Sequence, residues 1–587
     1  MDKKRVVIIG AVALGPKVAC RLKRLRPDME VVMIDQDEHI SYGGCGIPYF
    51  ISGDISDVRE LMSTSFHMER TPQFFEDAKD VRVRIRTRAL GIDRQAKKVH
   101  VKDLLSGKEE EIPYDQLVLG TGSQPNRLPI PGADLPQVMS LSNLRSAMDV
   151  KERISKGEVD KALIIGAGAI GCEMAEALSD LWGIETTVVE IANQVLPVIL
   201  DDGLARMVQK HIEEKGVTIH LNETVREIQP GDGKGEGALR VVTSKRTLDT
   251  DLVITAVGVR PNAELARNAG LVVSPRGAIV VNQRLQTSDP DIYAGGDCIE
   301  VMNLLTGKPM FFPQGSLANR QGRVIGTNLS GGHATFNGVV GSFSIKIFDL
   351  AVASTGIPLQ TALREGFDAI EALVIQADRA HFYPSQDLMY LQATVDRKTR
   401  RILGAQGVGH NGDALVGRIN SIAAMLPYRP TLEDLSNMEV AYSPPFASAL
   451  DIVNATANTA ENILDGYNTP IDVAAFEKCF LEDKAEDTIC VDVRGPANAA
   501  PYVAHFGDRW VNIPQETLKF RMEEIPKDKR VILVCNSGVR SYEALLQLRS
   551  AGACQAVNLQ GGVAALKKCG LVKLDDEQSD EKEENRE

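Results

Sequence analysis

Leu163-Ile164-Ile165-Gly166-Ala167-Gly168-Ala169-Ile170-Gly171 is followed by Glu173, Met174, Ala177 and Leu178, and then by Thr187-Val188-Val189-Glu190. A short apolar run ends in glycines at GxGxxG spacing. Helical periodicity follows, and a second apolar run closes on a carboxylate. This predicts a strand, a tight turn, a helix and a second strand. The first glycine permits the turn, the second lets a pyrophosphate approach the backbone, and the third lets the helix lie close to the strand. Glu190 suits a free ribose 2′-hydroxyl and repels a 2′-phosphate, which favours NADH, with NADPH as the alternative.

The same unit occurs earlier in the chain. Val6 to Ile9 runs into Gly10-Ala11-Val12-Ala13-Leu14-Gly15, helical periodicity follows at Val18, Leu22 and Leu25, and Val31 to Ile34 closes on Asp35. Val12 takes the second glycine position. Two units in one chain, each in strand–helix context, are far more specific than one. Leu117 to Gly122, with Thr121 and Gly122 at the turn, and Thr255 to Gly258 read as the strands that return the chain from each unit. Asp291 to Asp297 sets Gly296 and a carboxylate, Asp297, after a strand, where it suits a flavin ribityl hydroxyl.

With these motifs, residues 1 to about 450 resemble the pyridine nucleotide–disulfide oxidoreductase family. The resemblance implies FAD in residues 1–150, completed by 283–330, a nicotinamide cofactor in 151–282, and a dimerisation domain in 331–452.

Ser41-Tyr42-Gly43-Gly44-Cys45-Gly46-Ile47-Pro48-Tyr49 offers one reactive thiol. Pro48 suits a first helical turn, and a cysteine at a helix start is expected to have a lowered pKa. Disulfide reductases such as glutathione reductase carry a second cysteine in this segment, but here Ile47, Pro48, Tyr49 and Phe50 follow. A lone thiolate must exchange with an outside sulfur or be oxidised to sulfenic acid. The related NADH peroxidases and oxidases carry a histidine in the first glycine-rich turn, where this chain has Ala13. The segment resembles coenzyme A-disulfide reductases, apart from Gly44 in place of their usual asparagine.

That resemblance implies coenzyme A as a bound thiol and a homodimer in which Tyr383 and Tyr442 reach the partner's site. A phenol there would protonate or hold a leaving sulfur anion. Arg21, Lys23 and Arg24, with Ser41, Arg70, Thr71, Asn319 and Arg320, are the candidates for contacts to the coenzyme.

Residues 453–470, rich in small polar side chains, read as a linker. A fresh α/β pattern fills 471–574. Thr488 to Val491 leads to Asp492-Val493-Arg494, and Arg530 to Val534 ends at Cys535-Asn536-Ser537-Gly538-Val539-Arg540-Ser541. A thiol between a strand end and a helix start sits in a cradle of backbone N–H groups suited to a thiolate or persulfide anion. This half resembles the rhodanese family, which implies catalytic roles for Cys535 and Arg540, with Arg494 in a structural ion pair. Gly561-Gly562 fits the loop before the last helix. The expected architecture is therefore α/β: two Rossmann-like dinucleotide-binding domains for FAD and NAD, an α+β dimerisation domain and a C-terminal α/β rhodanese domain.

The net charge of −13 argues against a broad nucleic-acid-binding face. Part of it lies in the tail 575–587, which reads as solvating chain. No apolar stretch is long enough to span a bilayer, and the N-terminus runs straight into a nucleotide-binding strand, so a cytoplasmic location is expected. Nine scattered cysteines and nine histidines form no ligand pattern, and no metal is expected. Apart from Cys45 and Cys535, the cysteines read as packing residues. The expected activity is NADH- and FAD-dependent reduction of persulfide or polysulfide sulfur, coenzyme A persulfide foremost, to hydrosulfide. The rhodanese domain would supply or relay the sulfur. Coenzyme A-disulfide reduction is the alternative, ahead of NADH oxidase or peroxidase activity and of a sulfur carrier or redox sensor.

Overall fold

Val6, Val7 and Ile8 are fully buried because their strand, Arg5–Ile9, lies inside a parallel sheet covered on both faces. That is why it reads as a continuous apolar run without alternation. The computed structural model describes residues 4–231, 238–485, 487–552, 555–572 and 574. They fall into two compact units, Met1–Ile191 with Gly216–Val339, and Ala192–Lys215 with Val340–Glu587. Cys554 and the acidic tail lie outside the described residues.

The first unit holds two parallel five-stranded sheets. One runs in the order Ile292–Ala294, Gln116–Leu119, Arg5–Ile9, Glu30–Ile34, Arg82–Arg84. The chain winds outward from Arg5–Ile9 to one side and then returns to its other side. This creates a topological switch point at the carboxyl ends of Arg5–Ile9 and Gln116–Leu119, the place where such sheets bind ligands. The other sheet runs Thr218–His220, Glu185–Val189, Lys161–Ile165, Leu252–Thr255, Val138–Met139.

The helix Leu14–Leu25 buries Leu14, Val18 and Leu22 on one face. It packs on the helix Gly315–Leu329 so closely that a Cβ on Gly322 would stand 2.9 Å from Lys17 Cβ, and one on Gly326 would stand 2.8 Å from Arg21 Cβ. These two glycines, one helical turn apart, set the approach of the helices.

The second unit contains an antiparallel sheet in the order Phe343–Ile347, Leu350–Gly356, Ile402–Gly409, Leu388–Asp396, Ala369–Ala377, so that Ala369–Ala377 is an edge strand. A parallel sheet, Pro470–Ile471, Ala556–Leu559, Arg530–Val534, Thr488–Asp492, Trp510–Asn512, forms its C-terminal part. Together these elements give the mixed α/β architecture expected from the sequence.

The stretch expected to be a linker is largely helical: Ile452–Leu464 forms an α-helix capped by Asp451. Its Asn454 side chain donates to the carbonyls of Leu435, Ser436 and Met438. The small residues that suggested a linker are what bring this helix close to its neighbours. Thr456, Ala457 and Ala460 are buried against the sheet, where larger side chains would hold the helix away.

Candidate functional site

The two glycine-rich turns are built alike. A Cβ on Gly10 would stand 2.1 Å from Gly120 O, and one on Gly15 would stand 2.0 Å from Gly10 O. In the second unit a Cβ on Gly166 would meet Ala256 O at 2.6 Å, and one on Gly171 would meet Gly166 O at 1.9 Å. Gly10 and Gly166 also have φ of +106° and +107°, so only glycine serves there. Gly168 caps the helix Ala169–Ser179 with open space around it. Half-buried Val12, in the corresponding place, precedes the helix Leu14–Leu25.

The two acids share a further role. Asp35 Oδ2 accepts the N–H of Ala11 at 2.7 Å, and Glu190 Oε2 accepts the N–H of Ala167 at 2.6 Å. Each carboxylate pins the residue after the first glycine, and a carboxylate in that place is an acceptor of the kind a ribose hydroxyl would need. Burial raises the pKa of Asp35. Asp297 is also raised by burial, and it accepts the Ser123 hydroxyl at 3.2 Å. Gly296, with φ of +75°, donates its N–H to the buried Gln321 side chain. Thr121 donates to Asn262 O at 2.6 Å, Gly122 O accepts from Asn262 N, and Gly258 O accepts from Asn126 N. These residues stitch the crossing between the two turns. Close backbone at a switch point, flanked by acceptor carboxylates, fits a dinucleotide at each turn.

Cys45 lies in a 3₁₀ turn, Gly44–Gly46, before the short helix Ile47–Ser52. The residue as a whole is exposed, yet desolvation around its sulfur raises the pKa, and the carboxylates of Glu173 and Asp297 push the same way. The lowered value expected from the following helix is therefore not what the surroundings produce. The opposing influence comes from elsewhere: the N–H of Gly315, first residue of the helix Gly315–Leu329, favours the thiolate. Glu173 itself is pushed up to about 7, by burial and then by Glu176. Neither Gly315 nor Glu173 was singled out for this from sequence, since the one is 270 positions away and the other reads as a helix residue behind a glycine-rich turn.

Cys535 is 1% exposed. Its sulfur accepts the N–H of Gly538 at 3.1 Å and the hydroxyl of Ser541 at 3.2 Å. Gly538 has φ of +99°, which turns the loop back over the sulfur. The carbonyls of Cys535 and Asn536 accept the N–H groups of Val563 and Ala564, both at 2.9 Å. Arg540, half-buried, stands in the first turn of the helix Val539–Ser550. Asp492 is fully buried and accepts Arg494 Nη2 at 2.7 Å and Trp510 Nε1 at 3.1 Å, so Arg494 is indeed a structural partner.

Residues 4–316 match the model of the pyridine nucleotide-disulphide oxidoreductase family, residues 342–453 its dimerisation domain, and residues 480–569 the rhodanese-like domain. The chain belongs to the pyridine nucleotide-disulphide oxidoreductase family. It is an FAD- and NAD(P)H-dependent oxidoreductase of this family, with a C-terminal rhodanese-like domain. A solved NAD-dependent persulfide reductase from A. fulgidus is 37% identical, with a TM-score of 0.89 over 96% of this chain and 99% of that one. A CoA-dependent NAD(P)H sulfur oxidoreductase from Pyrococcus furiosus is 33% identical over 77% of this chain and 98% of its own length. A protein named NADH oxidase from Methanocaldococcus jannaschii is 34% identical over 78% and 98%.

The remaining candidates divide on structural grounds. Within the family's dimerisation domain, Ala380 N donates to Pro444 O at 3.1 Å, which ties the loop of Tyr383 to that of Tyr442. Tyr442 is 51% exposed, and the Arg379 guanidinium lies over the Tyr383 ring. Lys23 is a poor candidate for phosphates: its nearly buried ammonium donates to Pro27 O and Met29 O and pairs with Asp80. Arg70 is likewise engaged, with the carbonyls of Met62 and Leu61, and Thr71 caps the helix Pro72–Lys79. Ser41 is buried with φ of +50° and donates its N–H to Ala11 O. Arg21 donates to Thr327 Oγ1, and Arg24, Asn319 and Arg320 are exposed.

Among the described residues, no helix is long and apolar enough to cross a membrane.

Proposed function

We propose that this protein reduces the sulfane sulfur of a coenzyme A persulfide, or a related thiol persulfide, to hydrosulfide at Cys45. The observation that carries the reading is an exposed flavin-domain thiol, Cys45, with no second cysteine in its segment, in a chain that also holds a buried, doubly hydrogen-bonded rhodanese thiol. The near full-length likeness to a persulfide reductase supports it. FAD bound at the first turn supplies the passage of two electrons from NAD(P)H, with NADH favoured by Glu190.

The Cys45 thiolate attacks the inner sulfur of the persulfide R–S–SH. A Cys45–S–S–R bond forms, the S–S bond of the persulfide breaks, and hydrosulfide leaves. Two electrons and one proton then return the Cys45 thiolate and free RSH. Glu173, beside this thiol with its pKa near neutrality, is suited to deliver that proton. Coenzyme A would be held through Arg21, Arg24, Asn319 and Arg320, and the phenols of Tyr383 and Tyr442 would act across a homodimer interface. Cys535 would take sulfane sulfur from polysulfide or thiosulfate and pass it on with Arg540. Ala13 has no acid–base group, which favours sulfur exchange over peroxide chemistry.

The test is anaerobic turnover of NADH with coenzyme A persulfide and with coenzyme A disulfide, while hydrosulfide is measured. Stoichiometric hydrosulfide from the persulfide, abolished by Cys45→Ser, is expected. Faster turnover of the disulfide without hydrosulfide would replace this reading with a thiol-pool reductase.

A further inference from the structure

The loop that holds Cys535 rests on the neighbouring dimerisation domain. The strand Ala369–Ala377 is the edge of the antiparallel sheet, so alternate N–H groups along it have no strand partner. The outward N–H of Leu373 is accepted by the side chain of Gln560, at 2.9 Å. Residues 373 and 375 share one face of that strand. At the residue after Gln560, a Cβ on Gly561 would stand 2.9 Å from Ile375 Cδ1 and 3.2 Å from Leu373 Cδ2. Side chains from the strand therefore press on the Gly561-Gly562 turn.

That turn is in direct contact with the sulfurtransferase loop. A Cβ on Gly562 would stand 2.2 Å from Cys535 O and 2.8 Å from Asn536 O. The next two N–H groups, of Val563 and Ala564, hold those same carbonyls. Gly538, which donates to the Cys535 sulfur, lies so close that a Cβ there would meet Gly561 N at 3.3 Å. A continuous path of contacts thus leads from Leu373 and Ile375 through Gln560, Gly561 and Gly562 to the backbone that shapes the Cys535 cradle.

We infer that the dimerisation domain is a working part of the sulfurtransferase site, with Gln560 and Ile375 as positioning residues that hold the Cys535 loop closed. This rests on the sulfur-transfer reading of Cys535 given above. The consequence is that a rhodanese domain freed from this edge strand would have a looser, more accessible thiol.

Two variants test it in the full-length flavoprotein. Gln560→Met keeps the shape and removes the acceptor. Ile375→Val deletes the δ-methyl that bears on Gly561 and is mild enough to fold if the first variant does not. Three quantities are read: the rate of iodoacetamide labelling of Cys535 against pH, kcat and KM for sulfur transfer from thiosulfate to cyanide, and NADH turnover with coenzyme A disulfide. Labelling should rise roughly tenfold and transfer kcat should fall by a similar factor, while KM for thiosulfate and NADH turnover stay at wild-type values. Labelling and transfer unchanged in a folded variant would overturn the inference. Absence of transfer in the wild type would defeat the sulfur-transfer reading instead, and the labelling rates would still decide whether the edge strand closes the loop.

Discussion

The sulfur of Cys45 stands beside Gly315, the first residue of a fifteen-residue helix, and a β-carbon built on that glycine would lie 3.9 Å from it. Two influences meet at this thiol. The Gly315 N–H favours the thiolate, whereas desolvation and the carboxylates of Glu173 and Asp297 disfavour it. A thiol under that balance changes its ionisation when a single neighbour changes charge, and Glu173, at about 7, is the neighbour able to do so near neutral pH.

Glu173→Gln should therefore lower the pKa of Cys45. Removing a negative charge favours the thiolate, and the effect should be largest above pH 7, where Glu173 is ionised in the wild type. Cys45 alkylation in a Cys535→Ser background, followed against pH, should show its midpoint moved down by roughly half a pH unit or more. An unchanged profile would mean that the two side chains do not interact in solution.

At the second turn, Glu190 pins the Ala167 N–H, and in the proposed function it would also meet the ribose. Glu190→Gln keeps an acceptor for that N–H and removes the charge that repels a 2′-phosphate. The ratio of kcat/KM for NADH over NADPH should fall about tenfold, equivalent to about 1.4 kcal/mol. A ratio that does not move would show that the carboxylate plays no part in cofactor choice.

The nucleotide folds were readable because local rules fix them. Gly10 and Gly166 announce left-handed turns, and Asp35 and Glu190 stand at the ends of the second strands. The cradle around Cys535 follows from local sequence in the same way, since Gly538 and Ser541 lie three and six residues after it. At Cys45 the expectation of a lowered pKa misjudges the electrostatics. The helix whose N–H faces it is assembled by tertiary packing, and the adjacent helix Ile47–Ser52 has only six residues. Lys23 looked like one more basic side chain on a helix, and only the fold brings Asp80 and two carbonyls to it. The supposed linker failed because small residues serve equally as flexible chain and as the close-packing face of Ile452–Leu464.

Glu371 should make stability depend on pH. It lies on the edge strand Ala369–Ala377 beside a cavity of about 140 Å³, where burial, then Asp201, Asp472 and Asp202, push its pKa up to about 8. Gln392 donates to it at 2.9 Å. The folded form binds its proton more tightly than the unfolded form, so its contribution is full below the ordinary glutamate range. It is lost as pH rises toward 8. Glu371→Gln mimics the protonated acid and still accepts from Gln392. Its melting temperature should match the wild type near pH 5 and exceed it by a few degrees at pH 8.5. Parallel curves for the two proteins would show that Glu371 is ionised throughout.

Asp492 and Arg494 form a buried pair, 0% and 3% exposed in their side chains, with Trp510 as a further donor to the carboxylate. Arg494 also lies over the ring of Tyr502, its guanidinium carbon 4.6 Å from the centroid. Removing one member of such a pair leaves the other charge buried, which typically costs about 3–5 kcal/mol. Asp492→Ala should lower the thermal transition of the C-terminal part and abolish sulfur loading of Cys535. NADH turnover with coenzyme A disulfide should remain, because the Cys45 chemistry does not use this pair. Removing both charges in Asp492→Leu with Arg494→Met should recover much of the lost stability, since no charge is then stranded. If the double variant melts no higher than Asp492→Ala, the pair acts through shape and hydrogen-bond geometry, and its charges are incidental.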